Sequence, residues 1–189
     1  VVIPFTISGS YKSSSQVKET YQDVQKNTVQ LLKEKKERYK NIRAKTQLTI
    51  PDKDIQQAFN WLKYSSDWLI RDVPEVGRGL AAGLPDYPWW FGVDNEYSLQ
   101  GVLAIGNFDI VYKTIELLVK ESDKFNKGNG RILHEMSTNG AVYNPGNNNE
   151  TPQFATLIWN VYKGIGNKKK KKKYYPVVNK GLDWLMKEN

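Results

Sequence analysis

The tripeptide Ile-Gly-Asn occurs twice, at 105–107 and at 165–167, and each copy interrupts a stretch of helical periodicity. A Gly-Asn break leaves room only for an antiparallel turn between the helices it separates. The sequence therefore predicts two helical hairpins, one from helices over 94–105 and 108–122, the other from helices over 151–165 and 168–187. Recurrence of the break about sixty residues on marks a weak internal repeat of such hairpins. In the last helix Tyr175, Val178, Leu182 and Leu185 share one face, and Pro176 is tolerated if the regular part begins after lysines 168–173. Like charges at a helix N-terminus oppose the helix dipole, so those lysines are expected to fray as an exposed first turn.

Helical spacing also runs from Ser14 to Lys45, with Val17, Tyr21, Val24 and Leu32 set among lysines, glutamates and glutamines, as in a long, solvated helix. A further helix is expected from Asp52 to Arg71, where Thr49-Ile50-Pro51-Asp52 supplies a capping oxygen and a first-turn proline. Ile55, Phe59, Leu62 and Leu69 form its apolar stripe, with Trp61 and Trp68 beside it as core packing. Val1 to Gly9 instead alternates and is β-branched, the pattern of one strand. A single strand cannot complete its own ladder, so it is expected to pair outside this sequence, which makes the chain a segment of a longer protein. The fold class is mainly α.

The net charge of +8 resembles a nucleic-acid signature until it is divided along the chain. Lysines 168–173 supply six of those charges, and residues 46–165 hold ten Lys and Arg against fourteen Asp and Glu. An aromatic-rich, net acidic centre suits a neutral polar ligand better than a phosphate backbone, and the aromatics are not interleaved with the lysines as a base-stacking platform requires. No nucleic-acid partner is expected. No apolar run approaches the roughly 20 residues that span a bilayer, so no membrane partner is expected either, and a cytoplasmic location is the default.

The chain has no cysteine and one histidine, His134, which excludes disulfides and thiolate or His-rich metal sites. Neither a Gly-x-Ser-x-Gly elbow, a phosphate-binding loop nor a dinucleotide fingerprint is present. No metal and no cofactor are expected.

Two connections are long for such hairpins, 72–93 (DVPEVGRGLAAGLPDYPWWFGV) and 124–150. Connections beyond roughly 12 to 15 residues without secondary structure of their own are uncommon unless they bind something or are disordered, and the aromatics here argue against disorder. Trp89, Trp90 and Phe91, followed by Asp94 and Glu96, read either as loop anchors or as a pocket wall on which a sugar ring would stack. Aromatic surroundings would raise the Asp94 carboxyl toward the range of a general acid, whereas a helix start at Asp94 would stabilise it ionised as a cap. His134, beside Glu135, would hydrogen-bond a ligand hydroxyl or its own loop; Glu150 would form a capping turn or contact ligand.

The strings AAGLPDYPWWFGVDNEYSLQGVLAIGNFD and GNGRILHEMSTNGAVYNPGNNNETPQF resemble the amylo-α-1,6-glucosidase-type region of glycogen-debranching-enzyme-like proteins, inverting glycoside hydrolases related to glucoamylases and trehalases. The specific part of the resemblance lies between Gly79 and Phe154. It implies an (α/α)6 toroid of six helical hairpins preceded by a β-sandwich. Residues 1–11 would then be the terminal strand of that sandwich, 12–48 a linker helix and 49–189 the first part of an incomplete toroid. Phe91-Gly92-Val93-Asp94 matches the family's aromatic-Gly-x-Asp motif, so the resemblance implies Asp94 as general acid, with the base glutamate beyond this chain. Trp89, Trp90, Phe91, Glu96, His134, Glu135 and Glu150 are the expected substrate-binding residues. An oligosaccharide or α-glucan is the implied partner, and the missing half or self-association would cover apolar faces. The alternative is a helical carbohydrate-binding module without chemistry.

Overall fold

The computed structural model describes residues 3–188, among which six α-helices carry two small antiparallel sheets. The chain divides into two units, Val1–Ala44 and Lys45–Asn189. In the first, α1 (Ser14–Ala44) has no buried residue, as a solvated helix requires. Residues 3–10, expected to pair outside this sequence, make no ladder within it, and Val1 and Val2 lie outside the described residues. β structure is held by inter-strand hydrogen bonds, so alternation without a partner leaves irregular chain.

In the second unit, α2 (Lys53–Trp68) starts as expected, with Asp52 Oδ1 accepting from the N–H groups of Asp54 (2.9 Å) and Ile55 (3.1 Å). Its core-facing stripe does not. Trp61, Leu62 and Trp68 are exposed, and the buried residue of the helix is Lys63, whose ammonium donates to the carbonyls of Lys45 and Thr46. A buried cation is tolerable because those oxygens replace its water.

The 72–93 connection is partly ordered into strands. β1 (Ile70–Val73) and β2 (Gly77–Leu80) form a hairpin, and β3 (Trp90–Phe91) leads directly into α3 (Gly92–Ala104), which begins before Asp94. The first Gly-Asn break turns the chain into α4 (Phe108–Phe125); Gly106, like Gly166 in the second break, adopts the left-handed conformation that glycine enters without steric cost. The 124–150 connection contributes β4 (Glu135–Met136) and β5 (Val142–Asn144), and β3, β4 and β5 make a three-stranded sheet in that order. α5 (Glu150–Ile165) and α6 (Lys168–Glu188) complete the second hairpin.

The two hairpins lie side by side. α3 packs on α4, its partner, and on α5, the first helix of the next hairpin, while α5 packs on α6. Gly164 lets α5 approach Leu103, whose side chain would meet a Cβ there at 2.9 Å, and Asn160 Nδ2 donates to Gln100 Oε1 at 2.9 Å. One core joins Leu99, Ile110, Ile115, Phe154 and Leu157; a second joins Trp90, Leu117, Leu118, Leu133 and Met136 beneath the three-stranded sheet.

α6 corrects the expectation of a frayed lysine turn. It begins at Lys168, with Asn167 Oδ1 accepting from the N–H of Lys170 at 3.0 Å, and Pro176 lies inside it. Lys170 and Lys173 each reach Glu116 of α4 at 3.0 Å, and Lys171 lies over the Tyr162 ring. Tertiary ion pairs and ring contacts thus outweigh the unfavourable dipole. No helix among the described residues is long and apolar enough to cross a membrane.

Candidate functional site

The expected site residues converge on the three-stranded sheet and the starts of α3 and α5. In β3 the side chains alternate, so Trp90 goes inward and pairs across the ladder with Met136, while Phe91 lies on the opposite face, directly across from Glu135. Trp90 is fully enclosed. The structure makes it a core residue rather than a wall open to ligand, because the pleat of a short strand commits neighbouring residues to opposite faces.

The outward side is aromatic. Trp89 stacks on Tyr143 at 5.6 Å with 20° between the planes. Phe91 meets the His134 ring edge-on at 5.7 Å, and Tyr87 meets Phe91 at 6.2 Å. Tyr87 and Tyr143 are largely exposed. Neither was expected as a site residue. Tyr87 was legible within Tyr87-Pro88-Trp89-Trp90-Phe91, but Tyr143 becomes relevant only through a partner far away in sequence.

Gly92 shows why the motif has a glycine. A Cβ there would lie 2.4 Å from the Leu133 carbonyl oxygen and 3.0 Å from Glu150 Cγ, so only glycine admits β4 and the head of α5 this close. The N–H of Gly92 donates to the carbonyl of His134 at 2.8 Å, and the N–H of His134 donates to the carbonyl of Asn144 at 3.0 Å.

The carboxylates divide sharply. Asp94, in the first turn of α3, is exposed. It is not the cap, since Phe91 holds that position, and it is not enclosed between indoles. Glu135 is half-buried. Glu96 and Glu150 are buried, at 1% and 0% exposure, so neither meets a ligand directly in this arrangement. Glu96 has its pKa pushed up to about 9 by loss of water and then by the nearby charge of Glu150. Neither Glu96 carboxyl oxygen has a hydrogen-bond partner. A neutral, protonated form lowers the cost of that isolation.

Glu150 is richly partnered. Its Oε1 lies 2.7 Å from His134 Nδ1, and its Oε2 accepts from the N–H of Asn147 at 2.5 Å. Glu150 thus holds both the ring of His134 and the turn at Asn147. As a carboxylate Glu150 can only accept, so Nδ1 donates and Nε2 is the ring nitrogen left for other partners. Among the described residues no group of three or more His, Cys, Asp or Glu is placed to hold a metal ion.

Comparison of the chain with protein-family models, with curated proteins and with solved structures finds no match.

Proposed function

We propose that this chain forms the first part of the catalytic region of an inverting glycoside hydrolase acting on α-glucosidic bonds, α-1,6 branch points among them. The observation that carries the reading is the aromatic and carboxylate face of β3 and β4: Trp89 on Tyr143, Phe91 against His134, Glu135 across from Phe91, and Asp94 in the following helical turn. Flat apolar rings beside hydrogen-bonding groups suit the C–H faces and hydroxyls of a sugar.

In this mechanism Asp94 protonates the leaving oxygen, and a base roughly 6.5 to 9.5 Å away activates water on the opposite side of the ring. A carboxyl must be desolvated to keep its proton near neutral pH, so the exposure of Asp94 requires a second wall, contributed with the base from outside these residues. The side-by-side hairpins support a partial (α/α)6 toroid, entered through a β-sandwich strand at residues 1–11 and a linker helix. An apolar cleft of about 290 Å³ between α5 and α6, with Trp159 and Tyr175 exposed, is where a following hairpin or a second copy would pack. The expected location is cytoplasmic.

The test is hydrolysis of α-1,6- and α-1,4-linked glucosides by the complete protein and its Asp94→Asn variant. Loss of a general acid is expected to slow turnover by about 10²–10⁴-fold. Unchanged turnover removes Asp94 from the mechanism. The 189-residue chain alone is expected to be inactive.

The exposure of Asp94 also favours a second reading, a carbohydrate-binding module without chemistry, which needs the aromatic face but no protonated carboxyl. Oligosaccharide binding without hydrolysis by the complete protein selects it.

A further inference from the structure

A groove of about 380 Å³ lies between the β1–β2 hairpin and α4, lined by residues apart from the sheet β3–β4–β5. Its floor is apolar, from Val73, Pro74, Val76 and Leu117, and its polar lining is dominated by Arg78, Lys113 and Lys120. Two carboxylates also line it. Asp72 lies across the ladder from Arg78, largely exposed and at a loose 3.6 Å. Glu116 is matched twice over, by Lys170 and Lys173 at 3.0 Å each. Lys120 donates to the Val76 carbonyl at 2.9 Å and pairs with Glu121, which Lys124 also approaches at 3.6 Å. Each carboxylate around the groove is thus matched by at least one cation, and positive charge is left over.

Two of the cations have unused capacity. Lys113 makes no ion pair or hydrogen bond among the described residues. Arg78 keeps its Nε–H buried without an acceptor. Its Nη1 holds Asp72 only at 3.6 Å, and the fork geometry of arginine matches the oxygens of a phosphate group. The volume falls in the range of small-ligand pockets.

We infer that this groove binds a small phosphorylated molecule, its phosphate held by Arg78 and Lys113 and its less polar part lying on Val73, Pro74 and Val76. The site is independent of the sugar-processing reading and would hold if that reading failed.

Calorimetric titration of the protein with inorganic phosphate and with pyrophosphate, at low and constant ionic strength set with chloride, tests it. Saturable binding to one site is expected, weakened at least tenfold by Arg78→Gln and by Lys113→Gln and unchanged by Lys172→Gln in the lysine run. Arg78→Lys, which keeps the charge and removes the fork, is expected to weaken binding as well. Circular dichroism establishes that each variant is folded, and Lys113→Gln carries the test if Arg78→Gln is not. Absence of saturable binding, binding retained in folded Lys113→Gln, or binding lost equally in Lys172→Gln overturns the inference.

Discussion

His134 Nδ1 lies 2.7 Å from Oε1 of Glu150, a carboxylate with no exposed surface. The pair ties the start of β4, the central strand of the three-stranded sheet, to the first residue of α5. His134→Ala leaves Glu150 buried without its ring partner, the Asn147 backbone and side-chain amides being among the donors that remain. A loss of about 1–3 kcal/mol in stability is expected, measured by urea unfolding at neutral pH.

Glu96 gives stability a pH dependence with a defined sign. Its pKa is about 9 in the fold against an ordinary 4.5, so its contribution is complete below pH 4.5 and is lost progressively as pH rises toward 9. Glu96→Gln, which keeps the neutral shape, is expected to flatten this decline. The slope removed is at most about 1.4 kcal/mol per pH unit, the value for one proton. Urea midpoints of both proteins between pH 5 and 9 check it; parallel curves refute it. Glu150→Gln removes part of the repulsion, so the two substitutions are expected to be non-additive.

Glu116 behaves in the opposite sense. Burial works against its ionisation, but hydrogen bonds and charge from Lys170 and Lys173 prevail and lower its pKa to about 2. Its contribution is present above pH 4.5 and is lost as pH falls through about 2. Glu116→Gln is expected to lower the melting temperature at pH 7 and to leave it unchanged near pH 2. The effect at neutral pH is modest, because the group is partly exposed and water screens it. A difference that persists undiminished in acid counts against the ion pairs as its cause.

Gly92 and Gly101 sit in the same helix and predict opposite outcomes. Gly92→Ala drives a methyl into the Leu133 carbonyl and is expected to cost about 1–3 kcal/mol. At Gly101 a Cβ meets nothing within 4 Å, so Gly101→Ala is expected to stabilise by about 0.5–1 kcal/mol through helix propensity. Thermal unfolding of the two variants distinguishes them.

The hairpins were readable because glycine and periodicity act locally: Gly106 and Gly166 bend the chain whatever surrounds them. That 72–93 and 124–150 are more than connections was readable in outline, from their length. What escaped depends on distant partners. Trp90 and Phe91 are adjacent aromatics with no local signal to separate them, and the pleat sends one to the core and the other outward. Lys63 reads as a surface residue until Lys45 and Thr46 present carbonyls to it. The lysine run reads as a strained helix start until Glu116 and Tyr162 face it. Asp94 and Glu96 are two residues apart in sequence, yet only packing decides which loses its water.

The pairing of Trp90 with Met136 joins two stretches separated by the whole of the first helical hairpin. Neither strand has enough hydrogen bonds to persist alone, so closing this ladder waits until α3 and α4 have folded between them. Assembly of the aromatic face is therefore expected late in folding. Amide protons of Gly92 and His134 will exchange sooner than those in the middle of α4.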